Sequence, residues 1–520
     1  MKIKRLLCVL LVLSVLAVSF TAFSACEDTE DTPAGADGAN GGESGGDASG
    51  EEVLQTTDEP GGASPKYIFM FIADGFSFAH FSVTSAYLGA LEGVVEKRDL
   101  NLMKFPVVGS AATYDLTSFA PDSSSTASAY ASGIKTHSGV VNMDGDKKIP
   151  YETITEKLKK QFGYKIGIVS TVNLNHATPA AFYGHQPSRN NYMALTDELI
   201  ASDFDYFAGG KLLDLRPDGH YEAMREKGYT VVTAADEYRA LTGNEDKIFI
   251  ASDDKESSDD TGAMHYEIDR PEGQPSIYDY VKTGIDFLSK DNDTGFFFMV
   301  EGGKVDWASH ANDAASVIND VLAFDRALAL AVEFYEKHPD DTLIIVTGDH
   351  ETGGLSIGFA GTGYDTNLEI LASQKMSFIE YNKRVEQFRA NETSFDEVMR
   401  DIKLNFGLMA RDDPDAGTNR KLVLSAFELE TLEAAYEMSM LPSGRRRLGE
   451  GERILYGDYE PLSVTLTHVL NQKAGIGWSS YSHTGMPVPV FALGAGQELF
   501  TGFYENTDIF LKFKALTGVE

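Results

Sequence analysis

Residues of the types that can bind metal ions follow several apolar runs of this 520-residue chain. The four positions are Asp74, His176 with Thr178, Glu301, and Asp349 with His350. Carboxylate oxygens and imidazole nitrogens are ligands of Zn²⁺ and other divalent cations. A single Asp-Gly after an apolar run is more often a turn. Four such positions together, with an aspartate and a histidine adjacent in one of them, predict a metal cluster.

Two further places in the chain supply the same chemistry. Asp306 and His310 are four residues apart, so a helix would present both on one face, where they can form half of a Zn²⁺ site. A surface Asp–His pair near a helix N-terminus is the alternative interpretation. His483 precedes the last apolar run and could add a third ligand, although a single loop histidine is more often solvated.

Ser123 is the candidate nucleophile, in the small-residue run PDSSSTASA at residues 121–129. In the first turn of a helix, free N–H groups and the helix dipole favour an anion. Coordination to Zn²⁺ would make a serine alkoxide accessible at neutral pH. An Asp122-capped helix with a closely packed Ala/Ser face is the alternative, and these residues by themselves leave both interpretations open.

Five apolar runs are predicted to be the strands that position these side chains: Tyr67–Ala73, Lys165–Val172, Phe296–Val300, Thr342–Thr347 and Val488–Leu493. They are nearly continuous rather than alternating, as in strands covered on both faces. Amphipathic patterns such as Tyr151–Phe162 and Val317–Lys337 separate them and predict helices, so the fold class is α/β. Ligands of open α/β sheets gather outside the carboxyl ends of the strands, which is where the metal-binding side chains stand.

The composition limits the class of partner. The chain has 44 Lys and Arg against 79 Asp and Glu, a formal net charge of −35. Nucleic acid is therefore excluded as a binding partner, since affinity for it comes from Lys and Arg that displace counterions from phosphates. A phosphate ester in a local site is compatible with this charge if divalent cations invert the local field. Phosphate chemistry on this chain would therefore require metal.

Residues 1–25 are predicted to be a signal peptide of the lipoprotein type. A basic start precedes an apolar run over residues 6–20, as in secretory signals. The FSAC motif at residues 23–26 resembles a bacterial lipobox, so cleavage would leave Cys26 for lipidation. This predicts a protein of the bacterial cell envelope, periplasmic or surface-exposed, attached to the membrane through lipidated Cys26. An uncleaved anchor helix over residues 6–25 is the alternative.

Residues 26–64 are predicted to be an acidic, glycine-rich flexible linker. From Glu27 to Ser64 the chain has 11 acidic residues and no Lys or Arg. Such a segment cannot bury enough apolar surface to offset the entropy of ordering. A surface-export signal directly after Cys26 is the alternative to a solvated spacer. The remainder, residues 65–520, is predicted to be one folded catalytic domain.

Six motifs together resemble the alkaline phosphatase family in type and in order. They are ADG at Asp74, PDSSSTASAYASGIKT around Ser123, HATPAAFYGHQPSR from His176 to Arg189, VEGGKVDWASH from Val300 to His310, TGDHETGG from Thr347, and SHTG at His483. The resemblance runs from about Lys66 to the final strand. It implies a three-layer sandwich, in which a large central, mostly parallel β-sheet carries helices on both faces. It also implies a crown or lid insertion, at about residues 357–455 of this chain.

The resemblance implies a role for each matching residue. Ser123 becomes phosphorylated and Arg189 holds the phosphoryl oxygens. One zinc is bound by Asp306, His310 and His483, and a second zinc by Asp74, Asp349 and His350. Asp74 also bridges to a third site, usually Mg²⁺, which Thr178 and Glu301 share. The implied cofactors are thus two Zn²⁺ and one Mg²⁺.

At three positions this chain carries a residue that differs from that of some alkaline phosphatases. His176 stands where some relatives have Asp, and Trp307 where some have Lys or a second His. This pair is similar to that of several bacterial members, and it leaves the third metal with weaker supporting contacts. Thr352 stands where some relatives carry another histidine near Asp306, so we expect one supporting hydrogen bond of that carboxylate to be missing.

The function implied is hydrolysis of small phosphate monoesters to alcohol and inorganic phosphate through a phosphoserine. A superfamily phosphodiesterase is the nearest alternative, and a non-catalytic envelope lipoprotein that binds metal or phosphate is a second. A sulfatase is disfavoured because Ser125 and Ala127 stand where its pattern requires Pro and Arg. The natural substrate is left open, and so is a homodimer.

Overall fold

The computed structural model describes residues 64–216, 219–254 and 256–520. The predicted signal peptide, Cys26 and the predicted linker up to residue 63 lie outside the described residues. Among the described residues, no helix combines the length and the apolar character needed to cross a membrane.

Ten strands form one central sheet, in the order β14-β2-β13-β8-β1-β7-β3-β4-β6-β5. Strand β13 is antiparallel to both of its neighbours, and the other pairs in this sheet are parallel. The remaining strands form two short ribbons, β10 with β11 and β12 with β9. The strands are β1 (Tyr67–Ala73), β2 (Val107–Ala112), β3 (Lys165–Asn173), β4 (Tyr206–Gly210), β5 (Tyr229–Val232), β6 (Lys247–Ser252), β7 (Phe296–Glu301), β8 (Thr342–Gly348), β9 (Glu351–Thr352), β10 (Ser356–Ile357), β11 (Ile476–Gly477), β12 (His483–Thr484), β13 (Val488–Gly494) and β14 (Gly502–Glu505).

The predicted α/β class and the mostly parallel sheet are confirmed. The five predicted runs are β1, β3, β7, β8 and β13, five neighbouring strands in the middle of the sheet. These strands could be predicted from the sequence because both of their faces are covered, which makes almost every residue apolar. The strands that the sequence did not reveal lie toward the two ends of the sheet. In β2, for example, buried and more exposed residues alternate, and small residues dominate its VVGSAA sequence.

Helices cover both faces of this sheet. The described helices are α1 (Phe78–Leu91), α2 (Ser123–Ser132), α3 (Ile154–Phe162), α4 (Ala177–Ala180), α5 (Tyr192–Ser202), α6 (His220–Glu226), α7 (Ala235–Arg239), α8 (Ile277–Ser289), α9 (Lys304–His310), α10 (Ala314–Lys337), α11 (Phe378–Ala390), α12 (Phe395–Phe406), α13 (Ala426–Met440), α14 (Glu450–Tyr456), α15 (Pro461–Ala474) and α16 (Thr507–Thr517). Short 3₁₀ helices cover Asn101–Lys104, Leu368–Ser373, Arg420–Leu422, Ser443–Arg445 and Gln497–Phe500.

Alternate residues of β1 belong to two different cores. Ile68, Met70 and Ile72 pack in the core beneath helices α2, α3 and α16. The intervening Phe69 and Phe71 pack in the core beneath α8 and α10. Because successive side chains of a strand point to opposite faces, a strand that is apolar at every position must be covered on both sides. The sandwich therefore follows from the continuous apolar runs.

Residues 357–455 carry helices α11, α12 and α13, which pack with α1 and α15 around a third core. This segment is the predicted crown or lid, and the lid role stays a prediction. Helix α15 follows this segment, and most of its residues are buried. The predicted helix at Tyr151–Phe162 begins three residues later, because Thr153 and Glu156 form a capping box that sets the first turn of α3.

Candidate active site

Three neighbouring parallel strands deliver carboxylates to one edge of the sheet. Asp74 directly follows β1, Glu301 is the last residue of β7, and Asp349 directly follows β8. Ile72 of β1 pairs with Glu301, and Ala73 pairs with Gly348, so the strands end at the same level. All three carboxylates are buried. The prediction that strand ends bring these groups together therefore matches their observed positions.

Asp74, Asp349 and His350 form the first cluster with metal-binding geometry. The Nε2 atom of His350 lies 3.3 Å from an Asp74 oxygen and 3.3 Å from an Asp349 oxygen, and one ligand atom from each residue lies within 4.8 Å of the others. Gly75 donates its N–H to Asp349 Oδ1 at 3.1 Å. A Cβ atom at Gly75 would lie 2.8 Å from the Asp306 Cα, so only glycine fits between the two clusters.

Asp306, His310 and His483 form the second cluster. Asp306 and His310 lie one turn apart on α9, and their side chains approach to 3.4 Å. His483 Nε2 lies 3.0 Å from His310 Nε2 and 3.7 Å from an Asp306 oxygen. The ribbon of β12 and β9 brings His483 here, since it pairs His483 with Thr352 only two residues after His350. The rings of His350 and His483 stack, with centroids 3.6 Å apart.

The hydrogen bonds of His310 and His483 determine which nitrogen faces the cluster. His310 Nδ1 donates to the Tyr481 carbonyl at 2.6 Å, and His483 Nδ1 donates to the Pro121 carbonyl at 2.5 Å. A carbonyl oxygen only accepts, so each Nδ1 carries a proton and each Nε2 is available as a ligand. Two such Nε2 atoms 3.0 Å apart require a proton or a cation between them.

Thr352 corrects one expectation. Its hydroxyl donates to Asp306 Oδ1 at 2.6 Å, so the supporting hydrogen bond expected to be missing is present. A threonine supplies it because β9 lies directly against α9, which lets a short side chain reach the carboxylate.

Glu301, Thr178 and Asp74 meet at a third position. The Thr178 hydroxyl lies 3.4 Å from Asp74 Oδ2. Glu301 Oε2 accepts a short hydrogen bond from Ser170, a residue that sequence reasoning missed. Glu301 Oε1 is buried and has no hydrogen-bond partner among the described residues. A buried, unpartnered carboxylate oxygen is costly without a compensating charge, and an all-oxygen set of this kind suits Mg²⁺.

Ser123 is the first residue of α2 and is 3% exposed. Asp122 caps this helix by accepting the N–H of Ser125 at 3.0 Å, as the helix-cap interpretation predicts. The Ser123 hydroxyl also lies 3.1 Å from His350 Nε2 and 3.4 Å from Asp74 Oδ1. The cap therefore places a hydroxyl at a helix N-terminus directly beside the first metal-binding cluster.

Arg189 lies next to the N-terminus of α2, where it contacts Asp122. Its Nη1 donates to Asp122 Oδ2 at 3.0 Å, and its Nη2 donates to His176 Nε2 at 3.0 Å. The ring of His176 meets the ring of Trp307 edge to face, with centroids 5.7 Å apart. Burial and the guanidinium lower the pKa of His176 to about 3, so this imidazole is neutral and accepts the hydrogen bond. The guanidinium is thus held beside Ser123 by Asp122 and His176.

The electrostatics of the buried carboxylates favour a bound cation. Burial, followed by the neighbouring Asp349, Asp306 and Glu301, raises the pKa of Asp74 well above its usual range. Burial likewise raises the pKa of Glu301 to about 8 and that of Asp349 to about 6. Several buried carboxylates in contact are unfavourable as free ions, and divalent cations at these positions would offset that cost.

Asp306 shows the opposite shift. Burial alone would raise its pKa, but His310, His483 and His350 outweigh that effect and hold the pKa well below its usual range. Asp306 in turn raises the pKa of His310 to about 9 against the effect of burial. This carboxylate therefore stays ionised. The mixed oxygen and nitrogen donors of the first two clusters suit Zn²⁺.

The family model for alkaline phosphatases matches residues 65–205 and 259–519. The chain belongs to the alkaline phosphatase family. Alkaline phosphatase 3 of Bacillus subtilis (strain 168) is 29% identical over 469 residues, which cover 87% of this chain and 89% of that protein. Alkaline phosphatase 4 of the same organism is 29% identical over 397 residues, which cover 74% of each. As a member of this family, the chain is an enzyme that hydrolyses phosphate monoesters.

Solved structures of alkaline phosphatases share the fold. The enzyme of Thermus thermophilus superposes with a TM-score of 0.72 at 26% identity, covering 90% of this chain and 94% of its own. A cold-active alkaline phosphatase from a psychrophilic Shewanella species gives a TM-score of 0.69 at 27% identity, covering 87% and 99%. The internal segment that the family model leaves unmatched, residues 206–258, carries β4, β5 and β6 at one end of the sheet.

Proposed function

We propose that this phosphatase hydrolyses monoesters in two stages through a phosphoserine at Ser123. The observation that supports the proposal most directly is the Ser123 hydroxyl, 3.1 Å from His350 and 3.4 Å from Asp74 at the N-terminus of α2. In the first stage the Ser123 oxygen bonds to phosphorus, the ester P–O bond breaks, and the alcohol leaves with a proton. In the second stage water attacks phosphorus, and phosphate leaves as the serine regains its proton.

Three metal sites are part of this proposal. Two Zn²⁺ would be held by Asp306, His310 and His483 and by Asp74, Asp349 and His350, and one Mg²⁺ by Asp74, Thr178 and Glu301. When bound, such cations neutralise the charge of the phosphoryl group and of the entering and leaving oxygens. The facing Nε2 atoms of His310 and His483 and the unpartnered Glu301 Oε1 fit this assignment.

Side chains and backbone groups of the chain itself would orient the phosphoryl group and the nucleophile. Arg189 contacts Asp122, the residue directly before Ser123, and a guanidinium has the planar shape that matches two phosphoryl oxygens. Asp122 holds that guanidinium and also caps α2, so one carboxylate positions both the nucleophile and the arginine. The free N–H groups of the first turn of α2 add a local positive potential where the phosphoryl group must lie.

The phosphoserine can be tested by intact mass. Wild-type enzyme quenched in acid after mixing with a monoester is expected to contain a fraction heavier by one phosphoryl group. Ser123→Ala should show neither this species nor a burst of product, whereas Ser289→Ala, on the remote helix α8, should retain both. A normal burst from Ser123→Ala would disprove the role of this serine.

Substrate preference separates the monoesterase from the superfamily alternative. We expect kcat/KM for phenyl phosphate to exceed that for bis-phenyl phosphate by several orders of magnitude. A preference for the diester would favour the phosphodiesterase. Metal and phosphate binding without turnover of either substrate would favour the non-catalytic binding protein.

We also propose that lipidated Cys26 attaches the enzyme to the bacterial cell envelope, with the folded domain in the periplasm or at the cell surface. The basic and apolar pattern of residues 1–25 and the FSAC motif support this. Cys26→Ser is expected to move the enzyme from the membrane fraction to the soluble fraction. An unchanged membrane fraction for Cys26→Ser would instead favour an uncleaved anchor helix.

A further inference from the structure

A cleft of about 460 Å³ lies beside the second metal-binding cluster. One wall is the segment 476–482, which includes Trp478 and Tyr481, and the other includes His468, Asn471 and Gln472 of α15. This volume lies within the range of about 300–1,000 Å³ that is typical of small-molecule pockets. The reaction proposed above uses no side chain of this cleft.

The lining of the cleft is uncharged, although the whole chain has a formal net charge of −35. Among the described residues that line it, none is Asp, Glu, Lys or Arg. The histidine in the lining is neutral, since burial lowers the pKa of His468 to about 4. A phosphate, carboxylate or ammonium group would find no opposite charge here. The lining therefore favours a neutral ligand.

The polar side chains that line the cleft carry hydroxyl and amide groups, and they include those of Ser479, Ser480, Ser482 and Gln472. Both kinds of group donate and accept hydrogen bonds. They match the hydroxyl groups of a ligand, because a hydroxyl likewise both donates and accepts.

Aromatic rings complete the lining. Trp478, Tyr481 and Phe359 contribute to it, and the Tyr481 ring lies 5.7 Å from the ring of His468. The flat C–H face of a sugar ring packs against such rings, while its hydroxyl edge needs amide and hydroxyl partners. The cleft offers both kinds of surface.

Direct contacts join the cleft to the active site. The carbonyl of Tyr481 accepts the Nδ1 hydrogen of His310 at 2.6 Å. Asn312 donates to the Ser480 carbonyl at 2.9 Å, and the segment then continues directly into His483. A ligand in the cleft therefore lies next to two of the residues proposed to bind zinc.

We propose that this cleft binds an uncharged, polyhydroxylated group such as a sugar or a polyol. The group can be the alcohol portion of the phosphate ester, in which case the inference rests on the proposed function and names its substrate class. A free sugar bound beside the active site is the other source of the same chemistry. Both sources predict that changes in the cleft affect hydroxylated ligands selectively.

Kinetics with two monoesters test the first source. Gln472→Leu replaces an amide of the lining with an apolar side chain of similar size. We expect kcat/KM for glucose 6-phosphate to fall about fivefold, the effect of one lost hydrogen bond, while kcat/KM for phenyl phosphate stays within about twofold. Gln387→Leu, at an exposed position of α11, is the matched control and should change neither value.

Calorimetric titration with free glucose tests the second source and does not depend on turnover. Weaker glucose binding by Gln472→Leu, with an unchanged ratio between the two esters, supports a free-sugar site. Gln472→Trp, which narrows the cleft, should lower glucose binding and kcat/KM for glucose 6-phosphate more than Gln472→Leu does. The proposal is wrong if these variants alter neither the ester ratio nor glucose binding. A wild-type enzyme that hydrolyses neither ester would contradict the proposed function, and the glucose titration would still decide the cleft.

Discussion

At the scale of single residues, Arg189 shows how much of the candidate site depends on contacts around the reacting groups. Its two terminal nitrogens are each 3.0 Å from an acceptor, one on Asp122 and one on His176. Trp307 packs against His176, so the aromatic ring supports the guanidinium through the imidazole. The His/Trp pair thus contributes to positioning Arg189, the arginine proposed to bind the phosphoryl group.

Replacement of this arginine by lysine is expected to be costly. Lysine keeps the charge of Arg189 but cannot offer two parallel N–H groups to a phosphoryl group. For Arg189→Lys we expect kcat/KM to fall by about 10- to 100-fold, which corresponds to a charge-assisted contact of about 1.5–3 kcal/mol. Competitive inhibition by inorganic phosphate should weaken in parallel. Unchanged phosphate inhibition would show that Arg189 does not contact the phosphoryl group.

Lys304 and Asp259 form a buried ion pair beneath Trp307. Their side chains are 1% and 3% exposed, and the Lys304 ammonium lies 4.5 Å from the centre of the Trp307 ring. Breaking such a pair leaves one charge buried alone. Lys304→Met should therefore lower the free energy of unfolding by about 3–5 kcal/mol, measured by denaturant titration. The double variant Lys304→Met/Asp259→Asn should recover part of this loss, and an additive result would contradict the pairing.

At the scale of elements, the candidate site is built from the ends of β1, β7 and β8 and from the first turns of α2 and α9. Parallel neighbours end at one edge, so three strands separated in sequence by more than 40 residues deliver their last side chains together. Helix α2 points its N-terminus at that edge, with Ser123 in the first turn. We therefore expect the cap of α2 to have a functional as well as a structural role.

Two cap substitutions separate these roles. Asp122→Ala and Thr153→Ala each remove a side-chain cap, from α2 and from α3, and each should lower the free energy of unfolding by about 0.5–2 kcal/mol. Only Asp122→Ala should also lower kcat/KM, because Asp122 holds Arg189. Equal activity of the two variants would show that the α2 cap is purely structural.

Asp269 connects the segment before α8 to the start of α11, where it accepts the N–H of Ser377 at 2.9 Å. Burial raises the pKa of Asp269 to about 7, and its Oδ2 has no hydrogen-bond partner among the described residues. The folded state therefore binds a proton more tightly than the unfolded chain does. This contribution is fully present below the unfolded pKa near 4 and is lost as the pH rises toward about 7.

Asp269→Asn should remove that dependence. The amide keeps the shape of the side chain without a titrating proton, so the free energy of unfolding should change less between pH 4 and pH 7 than in the wild type. The slopes of the free energy of unfolding against pH should differ between the two proteins by at most about 1.4 kcal/mol per pH unit. Denaturant titrations at several pH values provide the measurement, and parallel curves for the two proteins would disprove the assignment.

At the scale of the whole molecule, a small part of the 79 acidic residues is gathered at the candidate site. Four carboxylates and one hydroxyl of the proposed metal sets gather at one sheet edge, where burial raises the pKa of Asp74, Glu301 and Asp349. Their separate strands span the centre of the sheet, so cations bound there would connect elements from both halves of the chain. Metal binding should therefore stabilise the fold as well as support catalysis.

Chelation tests this connection. Removal of metal with EDTA is expected to abolish activity and to lower the melting temperature, since ligands that bind only the native state add about 4 kcal/mol at 1,000 times their Kd. Zn²⁺ together with Mg²⁺ should restore both properties, while Mg²⁺ alone should restore neither fully. Metal analysis of the purified enzyme identifies the ions. An enzyme fully active in excess EDTA would contradict the three-metal proposal.

The central strands and most of the candidate site were predictable, and the ends of the sheet were not. β1, β3, β7, β8 and β13 are apolar at nearly every position because both faces are buried. The strands nearer the ends, such as β2, β4 and β6, are short or rich in small residues, which weakens any periodic signal. The family resemblance supplied the set of site residues. Ser170, Asp259 and Lys304 were missed, since each acts through a contact with a residue distant in sequence.

The α/β class, the central strands and the chemical type of each candidate ligand could be predicted from the amino-acid sequence, because these depend on local apolar runs and on the residues that end them. The folded arrangement was needed to show which carboxylates share a cluster, which imidazole nitrogen faces it, and that Thr352 supports Asp306. It also showed an uncharged cleft next to an acidic site. Such features depend on contacts between residues far apart in the chain, 46 positions for Thr352 and Asp306 and 171 positions for His310 and Tyr481. Those contacts are set by packing rather than by any local pattern.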